Sequence, residues 1–210
     1  MESAMRWRFF VKIFEIRHKI EITPAFAAFL CAYFYFDPAG SFFPFLLAAT
    51  VHEGAHLLVL RLLSARVHKL CLSACGATLQ TEPLSYGKEL LAAAAGPAAN
   101  LVLALLFAKR APVFALVNLC LLLFNLLPLY PLDGGRILRA ALLLLLPVRA
   151  AEIAEKCIVV LTVLTVTGFS CYLACVWHAG LWPVLVCALL FLRIAGTVFP
   201  ANRRILNRNS

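Results

Sequence analysis

The chain has 210 residues, of which 63% are hydrophobic and 14% charged. A soluble domain is roughly half apolar and about a quarter charged, so this much apolar surface exceeds what one core can bury, and lipid is the expected solvent. The net charge of +9 comes from basic residues scattered between apolar runs. That is the pattern of cytoplasmic loops, and no nucleic-acid partner is expected.

Residues 1–21 form a basic N-terminal segment with no small-residue cleavage site after it, which points to a cytoplasmic segment and not a removable signal. Residues 22–200 read as one membrane domain, and residues 201–210 as a basic cytoplasmic tail. Six apolar runs divide the domain. The first, Ile22 to Phe36, is short for a span of about 20 residues, and a turn follows at Asp37-Pro38-Ala39-Gly40-Ser41. The second runs from Phe42 to Leu63, the third from Leu90 to Ala108. The fourth starts near Pro112, reaches Leu127, meets Pro128, Pro131, Gly134 and Gly135, and resumes to Leu146. The fifth is Ile158 to Trp177 and the sixth Leu181 to Val198. The fold class is therefore an all-α membrane protein of about six transmembrane helices. The eight cysteines lie mostly inside these runs, where Cys acts as a small hydrophobe, and neither a disulfide framework nor a cysteine metal site is expected.

With a cytoplasmic N-terminus, alternation of six spans leaves every Lys and Arg except Lys109 and Arg110 on the cytoplasmic side. The chain is thus expected to be multi-pass with both termini in the cytoplasm.

Within the second run stands His52-Glu53-Gly54-Ala55-His56. Positions four apart share one helix face, so both imidazoles can meet one Zn²⁺ with Glu53 beside it. Catalytic zinc takes three protein ligands and keeps one position open, and a carboxylate there can accept the proton of an attacking water. Ionisable groups at this depth mark function by default. The structural alternative is a pair of histidines bonded to neighbouring helices.

A third ligand is needed. Glu53 aside, Asp133 is the acidic residue that interrupts a long apolar stretch, in Asn125-Leu-Leu-Pro-Leu-Tyr-Pro-Leu-Asp-Gly-Gly135. Two prolines and two glycines break a helix there, and non-helical backbone at membrane depth belongs inside protein or beside water. The alternative role for Asp133 is a cap on the next helix. Asn100, in Ala95-Gly96-Pro97-Ala98-Ala99-Asn100, requires a hydrogen-bond partner in lipid and supports structure more than chemistry. Asn125 can donate to a substrate carbonyl or oxyanion, or satisfy freed backbone. Asn118 has a structural reading alone.

The H-E-x-x-H of residues 52–56, the A-G-P-x-x-N of residues 95–100 and the N-x-x-P-x-x-P-L-D-G-G of residues 125–135 resemble, in order and spacing, the site-2 protease family. The resemblance covers roughly residues 20–200 and is greatest to the compact bacterial branch that removes a sporulation sigma factor's pro-sequence. It implies His52, His56 and Asp133 as ligands of one zinc ion per chain, Glu53 as catalytic base, a site between the second, third and broken fourth helices, and an intramembrane endopeptidase in a bacterial cell membrane. The implied partners are a membrane-associated protein substrate, the bilayer and a membrane-protein inhibitor or regulator. Residues Lys69 to Gln80, too polar for a span, resemble the family's short membrane-associated β segment; such a strand would hold substrate by strand addition, and the alternative is a surface loop that only connects two spans. That branch carries a nucleotide-sensing CBS domain, and the tail after Pro200 has no match for it, so nucleotide control is in question. Relatives often hold a Gly-Gly pair where this chain has Cys75-Gly76.

Two other functions compete. A metal transporter would use the same three residues as a transit site, yet repeats and a path of carboxylates are lacking and Glu53 would have no role. A scaffold that binds without cutting would be marked by a missing ligand or base, and none is missing.

The orientation has a direct test. Single cysteines at Gly40 and Ala179, in a cysteine-depleted background, should label from outside the cell, and one at Ala201 should not. External labelling at Ala201 would reverse the topology.

Overall fold

A computed structural model describes residues 20–37, 40–65, 67–73 and 76–176 of the chain. The sixth apolar run and most of both basic terminal segments lie outside the described residues. In chain order the elements are β1 (Ile20–Ile22), α1 (Pro24–Tyr35), α2 (Phe42–Leu62), β2 (Val67–Ser73), β3 (Gly76–Thr81), α3 (Tyr86–Phe107), α4 (Pro112–Asn125), α5 (Asp133–Leu145) and α6 (Val148–Val176).

The protein is a membrane protein: α2, α3 and α6 are each long and apolar enough to cross a bilayer. Their outer faces carry apolar side chains such as Leu47, Leu58, Leu105 and Leu161, all more than half exposed, which only lipid solvates well. The apolar helices α1 and α4 have 12 and 14 residues, or about 18 and 21 Å, short of the roughly 30 Å hydrocarbon layer. The six-run layout thus resolves, among the described residues, into three full-length helices and shorter apolar pieces.

Several helix limits differ from expectation: α3 starts at Tyr86 and not Leu90, α4 ends at Asn125 and not Leu127, and two further starts have clear local causes. The first helix starts at Pro24, not Ile22, because Thr23 caps it: its Oγ1 accepts from the Phe26 N–H at 3.3 Å, and Pro24 suits the first helical position. The last described helix starts at Val148, ten residues before the apolar run. Its first turns are polar but strongly helix-forming, and Glu155 there meets Arg139 of α5 at 3.7 Å.

The entry to α2 is built by the expected turn. Both Asp37 oxygens are used: Oδ1 accepts from the Ser41 hydroxyl at 2.8 Å and Oδ2 from the Phe42 N–H at 2.7 Å, one of the orphan donors at the helix start. Gly40, at φ +64°, supplies the left-handed residue that this closure requires.

The expected β segment is larger than a single strand. β2 and β3 pair antiparallel, from Ser73 opposite Gly76 to Val67 opposite Thr81, and β1 adds parallel to β2 at Leu70 to Leu72. The order is β1-β2-β3. Along Leu70 to Leu72 both edges of β2 are therefore occupied, which corrects the idea that this stretch offers an open edge. Among the described residues, the edge of β3 facing away from β2 is open.

Candidate metal centre

One face of α2 turns inward, made by Ala48, His52, His56 and Leu60 at a spacing of four. His52 and His56 lie ten and six residues from the end at Leu62. The site is thus about 9–15 Å along the helix from the end that leads into the sheet. Against this face packs α3, with Ala92, Ala93, Gly96, Pro97 and Asn100 buried. Gly96 is indispensable to the fit. A Cβ built there would sit 2.6 Å from both Cε1 and Nε2 of His52, with His56 nearer still. Small residues let the two helices close on each other, and Gly96 makes the floor on which both imidazoles rest.

Asp133 arrives by a different route. After α4 the chain runs non-helically from Leu126 to Leu132, with a cis Tyr130–Pro131 bond. Leu129 and Leu132 bury themselves beside Leu127, Val159 and Val163. Short backbone bonds, Leu129 N–H to Leu127 O at 2.7 Å and Leu132 N–H to Leu129 O at 2.8 Å, satisfy part of the segment that a helix would otherwise have served. It folds so tightly on the start of α5 that a Cβ on Gly134 or Gly135 would collide with the backbone of Leu126, Leu127 or Leu129. These glycines let Asp133 enter. The N-cap position of α5 belongs to Leu132, and the Asp133 carboxylate is turned to the two histidines.

The three side chains converge. His52 Nε2 and His56 Nε2 are 3.2 Å apart, and each is 3.1 Å from Asp133 Oδ2. All three residues are buried. Among the described residues they form the one group of three or more His, Cys, Asp or Glu side chains whose ligand atoms lie close enough to share an ion. His56 Nδ1 is 2.7 Å from the Ala92 carbonyl oxygen, which can only accept. In the neutral imidazole its proton therefore sits on Nδ1, and Nε2 presents a lone pair to the carboxylate. Two acceptors at 3.1 Å in a dry setting need a positive charge between them. A tetrahedral zinc with bonds of about 2.0–2.1 Å has ligand–ligand edges near 3.3 Å, close to the triangle observed. The residues present fit a zinc ion.

Surrounding groups hold this triangle. Asn100 Nδ2 lies 2.9 Å from His52 Nδ1, so Asn100 sits directly behind the imidazole, on the side away from Asp133. Arg136 binds Glu89 in the first turn of α3, through Nη2 at 2.8 Å and Nε at 2.9 Å, and its Nη1 is 3.7 Å from the second Asp133 oxygen. Sequence reasoning missed this bridge. Motif spacing does not signal it, because Glu89 lies just before the third apolar run and 47 residues from Arg136. Glu53 is half-buried on α2, within electrostatic reach of both imidazoles, Asp133 and Arg136. Asn125 is not drawn into the cluster; its amide donates to Leu121 O at 3.0 Å. Asn118 is fully buried and donates to Phe114 O at 2.8 Å.

Comparison with known proteins bears on this geometry. Residues 108–165, which include Asn125 and Asp133, match the model of peptidase family M50. A zinc metalloprotease of Methanocaldococcus jannaschii is 29% identical over 108 residues, covering 45% of this chain and 32% of the relative. The match thus spans about a third of that relative's length. The solved site-2 protease from Methanocaldococcus jannaschii superposes with a TM-score of 0.57 at 20% identity, over 82% of this chain and 87% of the other. The fold is that of a site-2 protease. The resemblance carried by the three sequence motifs is therefore matched in the course of the chain.

If Asp133 completes the triangle, Asp133→Ala should strip zinc from the purified protein, while Glu82→Ala leaves it in place. Metal content by elemental analysis decides: one zinc per chain in Asp133→Ala would exclude the carboxylate as ligand.

Proposed function

We propose that the chain is a zinc-dependent intramembrane endopeptidase that cuts a membrane-associated or membrane-spanning protein. The observation that carries this reading is the triangle of His52 Nε2, His56 Nε2 and Asp133 Oδ2, with Glu53 one residue from His52 on the same helix. His52, His56 and Asp133 would hold the metal. Bound there, zinc would supply Lewis acidity and make water nucleophilic at neutral pH. Glu53 accepts the proton from the attacking water and delivers it to the leaving amine. The buried walls of α2 and α3 keep competing water away, and Asn125, one N–H of which is held by Leu121 O, has its second N–H as a candidate donor to the carbonyl oxygen.

The substrate must be extended before it can be cut, since a helix shields its own peptide bonds. The edge of β3 facing away from β2, open among the described residues, offers backbone donors and acceptors to such a strand. It follows closely on the helix that carries the histidines, so strand addition there would lead the substrate toward the site. The basic-residue count favours cytoplasmic termini and a site entered from the cytoplasm of a bacterial cell. A membrane-protein inhibitor or regulator would act at that entrance. Processing of a sigma-factor pro-sequence in sporulation is a narrower form of the same proposal, resting on the compact run layout.

Glu53→Gln tests the reading. It should retain zinc and lower cleavage of a membrane substrate by about a hundredfold or more. The same inactive protein should trap substrate, and cysteines at Thr78 or Leu79 on β3 should cross-link to it. Undiminished cleavage would refute the base. Cross-links confined to α1, with none to β3, would refute the strand.

A further inference from the structure

We propose that Asn100 is a positioning residue: its side-chain oxygen accepts the Nδ1–H of His52 and so fixes the tautomer whose Nε2 lone pair faces the metal position. This rests on the metal reading above.

The argument starts from the two histidines. For His56 the question is closed, because a backbone carbonyl 2.7 Å from Nδ1 can only accept. His52 faces a side-chain amide instead, with Asn100 Nδ2 at 2.9 Å from Nδ1. In that arrangement Nδ2 donates, Nδ1 accepts, and the one proton of a neutral imidazole is forced onto Nε2. His52 Nε2–H then points at Asp133 Oδ2, 3.1 Å away. This is a satisfactory pair without a metal, but a protonated Nε2 cannot be a ligand.

Binding a metal requires the opposite tautomer, with the proton on Nδ1 and an acceptor facing it. Asn100 can supply that acceptor by turning its amide half a revolution, since the oxygen and nitrogen ends have the same shape. The turn sacrifices no bond at the oxygen, because Asn100 Oδ1 is buried with no hydrogen-bond partner. The residue is 0% exposed, which bars bulk water from taking the role. An amide thus serves both states where a fixed carbonyl serves one. Asn118 and Asn125 show the contrast: each spends its amide nitrogen on the carbonyl four residues back in its own helix, while Asn100 reaches across to α2.

The test is zinc affinity of the full-length chain in detergent, by chelator competition, with the visible spectrum of the Co²⁺ form reporting ligand geometry. Asn100→Leu keeps the volume and removes the acceptor. It should weaken zinc binding by about 10–100-fold, the usual effect of losing an outer partner of a metal-bound histidine. Asn100→Asp can only accept at neutral pH and should bind within about threefold of the parent, with the parent's Co²⁺ spectrum. Wild-type affinity in Asn100→Leu would overturn the proposal. So would Asn100→Asp binding as weakly as Asn100→Leu, because that outcome means a donor is required. Should the leucine variant fail to fold, a tenfold loss in the aspartate variant alone overturns it, and parental affinity there supports it. A parent chain that binds no zinc would defeat the metal reading itself, a result distinct from variants that merely behave alike.

Discussion

Three buried ligand atoms within 3.2 Å of one another impose the constraint that the surrounding structure answers. His56 Nε2 and Asp133 Oδ2 both present lone pairs, and unpaired acceptors facing each other in a low-dielectric setting are costly. A cation bound between them would turn repulsion into coordination. The price is rigidity, because the candidate ligands come from α2 and α5, separated by 77 residues or more along the chain, and a metal site needs positions held to a few tenths of an ångström.

That rigidity comes from close backbone contact. Gly96 lets α3 lie against both imidazoles, and Gly134 and Gly135 let the 126–132 segment fold onto α5. Any larger residue at these points would separate the ligands. The Arg136–Glu89 pair ties α5 to the first turn of α3 and leaves one guanidinium nitrogen near the free oxygen of Asp133. A carboxylate with one oxygen committed to the cluster and the other facing a cation has little freedom to rotate.

Much of this was legible in the sequence. The spacing of His52 and His56 follows from helix periodicity alone, and a carboxylate in a Pro- and Gly-broken apolar run singled out Asp133. The limits of α1 and α6 were not legible from hydropathy, because the cap at Thr23 and the polar first turns of α6 are local hydrogen-bonding and propensity effects. The sheet was seen only in part. A three-residue strand such as Ile20–Ile22 carries no periodicity of its own, and its parallel pairing with Leu70 to Leu72 joins segments far apart in sequence. The contacts of Asn100 and Arg136 are not legible in the sequence either, since each depends on which element of the fold lies opposite.

X-ray absorption at the zinc edge of the purified full-length chain tests the central claim most directly. The account predicts one zinc per chain with two imidazole nitrogens and oxygen ligands at about 2.0–2.2 Å and no sulfur. A first shell containing sulfur at about 2.3 Å, or a chain that retains no zinc after metal-replete purification, would contradict it.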